Sequence, residues 1–156
     1  KKNIGNRKVL KYLMFLSLIV IIQIIYGAFV AGLKAGLAFP TWPKMGAEFI
    51  PKEVFSSNPQ WNFLNGVFGV QFIHRILAII IVIISIIIYY KTKFFKLQSI
   101  QKISLKIIFS LILIQFVLGV FTLIYSVPIL LAILHQLGAF FLLLSIVYAL
   151  FVFKSG

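Results

Sequence analysis

The chain has 156 residues, of which 62% are hydrophobic and 11% are charged. Soluble domains are about 45–50% apolar and about 25% charged, so this composition excludes an ordinary soluble domain and is typical of a protein embedded in a bilayer. The absence of cysteine excludes a disulfide framework, a thiolate metal site, an iron–sulfur cluster and a cysteine nucleophile. Because the first residue is Lys1 rather than Met, we expect the chain to be part of a longer protein.

Four apolar runs are each long enough to cross a membrane as a helix, which takes about 20 residues. They predict an all-α fold: a polytopic membrane protein whose single domain, residues 1–156, is a four-helix transmembrane bundle. The first run exceeds the apolar part of a signal peptide, so we expect it to remain in the mature protein. The predicted helices cover residues 10–33, 67–90, 104–125 and 129–153, and the longest connection covers residues 34–66.

The net charge of +13 comes mainly from two basic segments. Five Lys and Arg residues lie within residues 1–11, and five Lys residues and no acid lie within residues 91–106. The positive-inside rule assigns both segments, and therefore both termini, to the cytoplasmic or matrix side. We expect a bacterial inner membrane, or the mitochondrial inner membrane in a eukaryote, with the basic residues facing anionic headgroups rather than nucleic acid.

The connection at residues 34–66 is rich in aromatic residues and prolines. Aromatic rings are favoured at the headgroup level, and prolines prevent one continuous helix. This segment is therefore predicted to form turns and a short amphipathic helix that cover the outer end of the bundle.

The four predicted helices form two similar hairpins. The first and third share the pattern QxxxGxF, beginning at Gln23 and Gln115, while the second and fourth share HxxxA, beginning at His74 and His135. Both copies have the same orientation, which predicts a pseudo-two-fold axis along the membrane normal.

A rise of about 1.5 Å per residue places two histidines and two glycines of these patterns in one layer. His74 is predicted about 12 Å and His135 about 9 Å from the outer end, with Gly27 and Gly119 about 9 and 10 Å deep. Two imidazoles can serve as axial ligands, and glycines let helix backbones approach a planar ring. The layer therefore predicts a bis-histidine heme, with His74 and His135 on the iron and Gly27 and Gly119 against the macrocycle.

Other interpretations of these polar residues remain open. Each histidine can instead form a hydrogen bond between helices. A zinc ion would need more ligands than two imidazoles. Gln23 and Gln115 are interpreted as helix-packing groups rather than ligands.

Two cations lie where membrane topology alone does not explain them. Arg75 follows His74 within a predicted helix, and a buried arginine requires a partner, which a heme propionate or an internal carbonyl would supply. Lys34, at the outer end of the first helix, is a second candidate for a propionate unless its ammonium group extends to the interface. Arg75 and Lys34 are therefore predicted to bind the cofactor.

Several longer stretches resemble one known family. They are GAFVAGLKAGLAFPTWPKMG at residues 27–46, Ile50-Pro51, VQFIHR at residues 70–75 and LAILHQLGA at residues 131–139. These stretches are similar to heme A synthases of the mitochondrial and alphaproteobacterial type. The resemblance covers nearly the whole chain and relates it to the C-terminal one of two similar four-helix halves.

The resemblance implies that His74 and His135 are the axial ligands of a heme B. It also implies an oxidoreductase that converts the C8 methyl of heme O to a formyl group, giving heme A for cytochrome c oxidase. The substrate and a glutamate implicated in its oxidation belong to the other half. No acid lies inside a predicted helix here, so no catalytic residue is nominated, and the expected role is to hold a heme that accepts or relays electrons.

The partners implied are heme O through the missing N-terminal half, the lipid bilayer and, as candidates, heme O synthase and a second copy of the chain. The alternative function is a stand-alone b-type cytochrome, and a third is an assembly scaffold without heme. The reading frame upstream of Lys1 distinguishes the first two. Four more apolar spans with an intramembrane glutamate and a second histidine pair favour the synthase, whereas a start Met directly before Lys1 favours the cytochrome.

Overall fold

The computed structural model describes residues 4–55 and 59–155, and this part of the chain is helical apart from turns and one isolated bridge between Met45 and Glu48. The all-α prediction is confirmed. Short 3-10 turns lie at Ala35–Leu37 and Lys52–Val54. The α-helices are α1 (Ile4–Gly32), α2 (Pro59–Asn65), α3 (Val67–Thr92), α4 (Ser99–Ile124) and α5 (Ile129–Ser155).

Helices α1, α3, α4 and α5 are each long and apolar enough to cross a membrane, as predicted. Two of them begin before their predicted apolar runs, α1 at Ile4 and α4 at Ser99. Hydropathy marks only the apolar run, whereas the backbone stays helical through flanking lysines whose long side chains reach the interface. At the start of α4 the backbone N–H of Gln98 donates to Oε1 of Gln101 at 3.0 Å, which satisfies a donor that the first helical turn leaves free.

The four long helices form a closed ring. Helix α1 packs against α3 and α5, and α4 packs against the same two helices. The buried core joins the N-terminal halves of α1 and α4 to the C-terminal halves of α3 and α5, so consecutive spans are antiparallel. Exchanging α1 with α4 and α3 with α5 leaves this arrangement unchanged, as expected for two repeated hairpins.

The aliphatic core lies at the end of the bundle that carries both termini, which we call the terminal end. This end comprises the buried residues Val9, Leu13, Leu16 and Val20 of α1 and their neighbours on the other three long helices. At the opposite end, which we call the loop end, none of the described residues 129–141 of α5 is buried. Close aliphatic packing therefore stabilises the terminal end, and different contacts hold the loop end.

The connection between α1 and α3 folds back onto the start of α3. Asn62, on α2, is buried, and its side-chain amide donates to the carbonyl oxygens of Glu53, at 3.0 Å, and Val54. Gly66 and Gly69 lie against Asn62. A Cβ atom at Gly69 would lie 2.4 Å from the carbonyl oxygen of Asn62, so α2 can pack this closely only against glycine. The turns and short helix predicted for this connection are present.

Gly69→Ala tests this close contact, because the added methyl group would meet backbone atoms of Asn62 rather than a flexible side chain. We expect the free energy of unfolding to fall by about 1–3 kcal/mol, the usual cost of overpacking. Thermal unfolding of the detergent-solubilised protein, followed by circular dichroism, measures the change. Gly32→Ala is the matched control, since no described neighbour lies within 4 Å of a Cβ atom there. Equal melting temperatures for the two variants would contradict the contact.

Candidate functional site

The imidazole of His74, on α3, faces α1 at Gly27. A Cβ atom at Gly27 would lie 3.3 Å from Cε1 of His74 and 3.9 Å from Nδ1. Glycine therefore gives the ring the space that any side chain at this position would reduce. The sequence placed the two residues in one layer, and the structure shows that they touch. The predicted contact of Gly27 with a heme stays a prediction.

The second hairpin repeats this contact between α4 and α5. A Cβ atom at Gly119 would lie 3.0 Å from Cε1 of His135 and 3.5 Å from Nε2. The structure thus places each histidine against the glycine of its own hairpin, and a single layer that contains all four residues stays a prediction.

Each imidazole has a buried nitrogen, Nδ1, without a hydrogen-bond partner among the described residues. Leaving such an atom unpaired costs about 1–3 kcal/mol. A neutral imidazole nitrogen with no protein partner is well suited to bind a metal. No group of three His, Cys, Asp or Glu side chains occurs in residues 4–55 and 59–155, whereas an axially ligated heme needs only two imidazoles from the protein. These two residues therefore fit the heme that the sequence predicts.

Gln23 lies one turn before Gly27 on α1 and bonds to the same histidine. Its side-chain Nε2 is 3.3 Å from Nε2 of His74. This bond between helices is of the kind expected for a polar helix-packing group, although the interpretation of Gln23 did not name His74 as its partner. The signal was present in the sequence, since residues four apart lie on one face of a helix and the QxxxG pattern therefore directs glutamine and glycine to one neighbour.

Gln115 is the equivalent residue of the second hairpin, but its side chain reaches a different neighbour. It is buried, and its Nε2 lies 1.8 Å from where a Cβ atom of Gly138 would be. Gly138 follows His135 by three residues on α5. The amide of Gln115 therefore crosses to α5 about one turn from the histidine, at a position that only glycine leaves open.

Arg75 is buried, and its guanidinium binds carbonyl groups of the connection between α1 and α3. Its Nη1 donates to the carbonyl oxygens of Thr41, at 2.9 Å, and Lys44, at 3.3 Å, and its Nη2 donates to that of Phe39. Gln71, one turn earlier on α3, donates to the same Phe39 oxygen at 3.2 Å. Internal carbonyls, one of the two kinds of partner predicted for Arg75, are therefore present. Nε of Arg75 is buried without a partner among the described residues, and its contact with a propionate stays a prediction.

The segment bound by Arg75, residues 39–46, contacts two of the long helices at the loop end. The ring of Phe39 lies 5.4 Å from that of Phe68 on α3, and the ring of Trp42 lies 5.6 Å from that of Phe116 on α4, edge to face. Such aromatic pairs stabilise by about 0.5–1.5 kcal/mol beyond their burial. The segment therefore links the two hairpins next to the layer of the histidines.

Lys34 lies two residues after the end of α1 and has the left-handed backbone conformation, with φ 52°. Its side chain is exposed, which agrees with an ammonium group that extends to the interface. Its role in binding a cofactor stays a prediction.

The described residues define the class of the protein: a polytopic, all-helical membrane protein with one histidine on a spanning helix of each hairpin. The family model of COX15-CtaA, described as cytochrome oxidase assembly protein, matches residues 1–147. The chain belongs to this family.

Curated relatives of the chain are named heme A synthase. The chain is 45% identical over 133 residues to the protein of Flavobacterium johnsoniae, a match that covers 83% of this chain and 39% of the relative. It is 41% identical over 140 residues to that of Flavobacterium psychrophilum, covering 88% of this chain and 41% of the relative. It is 39% identical over 132 residues to that of Wolbachia sp. subsp. Brugia malayi, covering 84% of this chain and 37% of the relative. The chain therefore spans only part of the length of these relatives, and no solved structure matches it.

Arg75→Gln tests whether the guanidinium holds residues 39–46 against α3. Hydrogen bonds to a charged group contribute about 1.5–3 kcal/mol each, so losing them should let the segment open at least about tenfold more often. Trypsin cleavage after the exposed Lys44, in detergent, measures this opening. Lys91→Gln, which removes a cation at the terminal end, is the control. Unchanged cleavage of the Arg75 variant would show that other contacts hold the segment.

Proposed function

We propose that the chain is the heme-binding half of a heme A synthase, which oxidises the C8 methyl of heme O to a formyl group and gives heme A for cytochrome c oxidase. The observation that carries the proposal is the pair of imidazoles, His74 and His135, each seated against a glycine and each with a buried, unpartnered nitrogen among the described residues. Membership in a cytochrome oxidase assembly family and the name of the curated relatives support the enzyme.

In this proposal His74 and His135 would hold the iron of a heme B, each through one ring nitrogen. The bound heme supplies one-electron chemistry, through which electrons from the oxidation of the substrate are accepted or relayed. Gly27 and Gly119 let the two rings lie close to α1 and α4 and so limit the orientations that the rings can take. Rigid placement of both rings would favour binding of the iron by both histidines rather than by one.

Arg75, on α3, and Lys34, just after α1, both place positive charge at the loop end of the bundle. Side chains on α3 and α5 tilt toward the N-terminal ends of these helices, which lie at the loop end, so propionates on that side would find cationic partners. Nε of Arg75 is the donor still without a partner among the described residues. Because its other nitrogens bind carbonyls, Arg75 would join a propionate to the connection that covers the site.

The residues of this chain bind and position, and the oxidation itself is assigned to the rest of the protein. The two acids of the sequence, Glu48 and Glu53, both lie in the connection between α1 and α3, so no span supplies a carboxylate. A carboxylate base and heme O would come from the remaining length of the protein, since the relatives are longer than this chain. We place both termini of this chain, with the lysines of the terminal end, on the cytoplasmic or matrix side.

Heme binding is the first test. The purified chain, supplied with heme, should bind it stoichiometrically as a low-spin, six-coordinate species in a reduced-minus-oxidised difference spectrum. His74→Ala or His135→Ala should give a high-spin, five-coordinate spectrum, because one axial nitrogen is lost. Gln136→Leu is the control, since this residue is adjacent to His135 but exposed. A wild-type chain without a Soret band, or a low-spin spectrum in either alanine variant, would contradict the ligand assignment.

A second test separates the synthase from a stand-alone b-type cytochrome, which would bind the same heme. The complete protein encoded by the reading frame should convert heme O to heme A, detected by chromatography of the extracted hemes. His135→Ala in that protein should lower the yield of heme A at least about tenfold, as expected for the loss of a metal ligand. A complete wild-type protein that binds heme and forms no heme A would favour the cytochrome.

A further inference from the structure

We propose that the seam between α1 and α3 at the terminal end binds one anionic phospholipid, with an acyl chain in an apolar groove and the phosphate at Lys91 and Lys8. This site lies at the opposite end of the bundle from the histidines and is independent of the proposed function.

The groove lies between two helices that are both long and apolar enough to cross a membrane. It has a volume of about 240 Å³, and its lining residues are Tyr12, Phe15, Ile84, Ile87, Ile88 and Lys91. Phe15 and Ile87 are 53% and 46% exposed, so the groove opens toward the lipid. The seven residues from Lys91 back to Ile84 descend about 10 Å toward the membrane centre. The groove therefore offers a chain of methylene groups close van der Waals contact over this depth.

Two cations lie where the groove reaches the membrane surface. Nζ of Lys91 is 5.8 Å from the centre of the Tyr12 ring, a cation–π contact that joins α3 to α1 across the groove. Lys8 precedes Tyr12 by four residues, so it lies on the same face of α1, one turn nearer to the surface. Both lysine side chains are exposed. A phosphate above the groove would thus meet an ammonium group from each helix.

Neither acidic side chain of this chain lies near these lysines. Glu48 and Glu53 are the two acids of the sequence, and both belong to the connection between α1 and α3, at the loop end. Helix α3, with 26 residues, separates the two ends by about 39 Å. The charge that balances Lys91 and Lys8 must therefore come from outside the chain.

A phospholipid supplies the anion and the apolar group in the order that the site requires. A free anion would leave the groove below the lysines unfilled. A second copy of this chain would bring the same lysines and a further net charge of +13, so like charges would meet. An anionic lipid satisfies both parts, and each lysine near its headgroup should strengthen binding about fivefold.

Native mass spectrometry of the detergent-solubilised chain, titrated with phosphatidylglycerol or with phosphatidylcholine of the same acyl chains, tests the site. One phosphatidylglycerol should bind at least about tenfold more tightly than phosphatidylcholine, because its net negative charge faces two lysines. Lys91→Gln should weaken the binding of phosphatidylglycerol about fivefold. Lys106→Gln, which removes an exposed lysine of α4 at the same end, is the matched control and should leave binding unchanged.

A second variant tests the groove rather than the charge. The indole of Ile87→Trp would occupy the space of the acyl chain and should weaken the binding of both lipids. Ile107→Trp is the control, because Ile107 on α4 is 47% exposed, against 46% for Ile87, and does not line the groove. Glycerol phosphate, which has the anion without acyl chains, should not displace the bound lipid.

Four results would overturn the proposal. Equal binding of the two lipids, or equal losses in Lys91→Gln and Lys106→Gln, would indicate a diffuse basic surface. Displacement of the lipid by glycerol phosphate would assign the lysines to a free anion. A dimer that Ile87→Trp dissociates and Ile107→Trp does not would assign the groove to a second copy of the chain.

Discussion

The seating of an imidazole against a glycine of the neighbouring helix decides how the loop end of this bundle is assembled. Lipid tails are as apolar as leucine, so membrane helices choose their partners by close packing and hydrogen bonds rather than by the hydrophobic effect. At Gly27 and Gly119 a Cβ atom would lie only 3.0–3.3 Å from a histidine ring, so helix separation and ring position are set together. The glutamine one turn earlier on each of these helices then necessarily faces the same partner helix.

This arrangement depends on the packing at the other end of the bundle. Val9, Leu13 and Leu16 are almost fully buried at the terminal end, where their close van der Waals packing stabilises the contacts between the helices. The unpartnered nitrogens of His74 and His135 oppose folding by about 1–3 kcal/mol per group. A well-packed terminal end can therefore support a loop end whose polar groups serve binding rather than stability, and it fixes the helices that carry them.

The repeat was predictable because its signals are local. Spacing along a helix directs Gln23 and Gly27 to one face, and counting from the helix ends puts His74 and His135 in one layer. The neighbour of each glycine was not predictable in detail, because these spans are apolar on nearly all faces and hydropathy does not specify their rotation. The partners of Arg75 lie 31 to 36 residues away in an irregular connection, where no periodic pattern indicates which carbonyls will meet the guanidinium.

The adjacency of His74 and Arg75 shows how one helical turn serves two parts of the structure. Consecutive residues of an α-helix point about 100° apart, so the two side chains cannot share a target. His74 faces α1, whereas Arg75, together with Gln71 one turn earlier, faces residues 39–46. Carbonyl dipoles satisfy the donors of Arg75 without cancelling its charge, which an acid would do. The positive charge of Arg75 therefore persists beside His74, the candidate iron ligand. Because Arg75 binds residues 39–46, a displacement of this segment would pull on the same turn of α3 that positions His74.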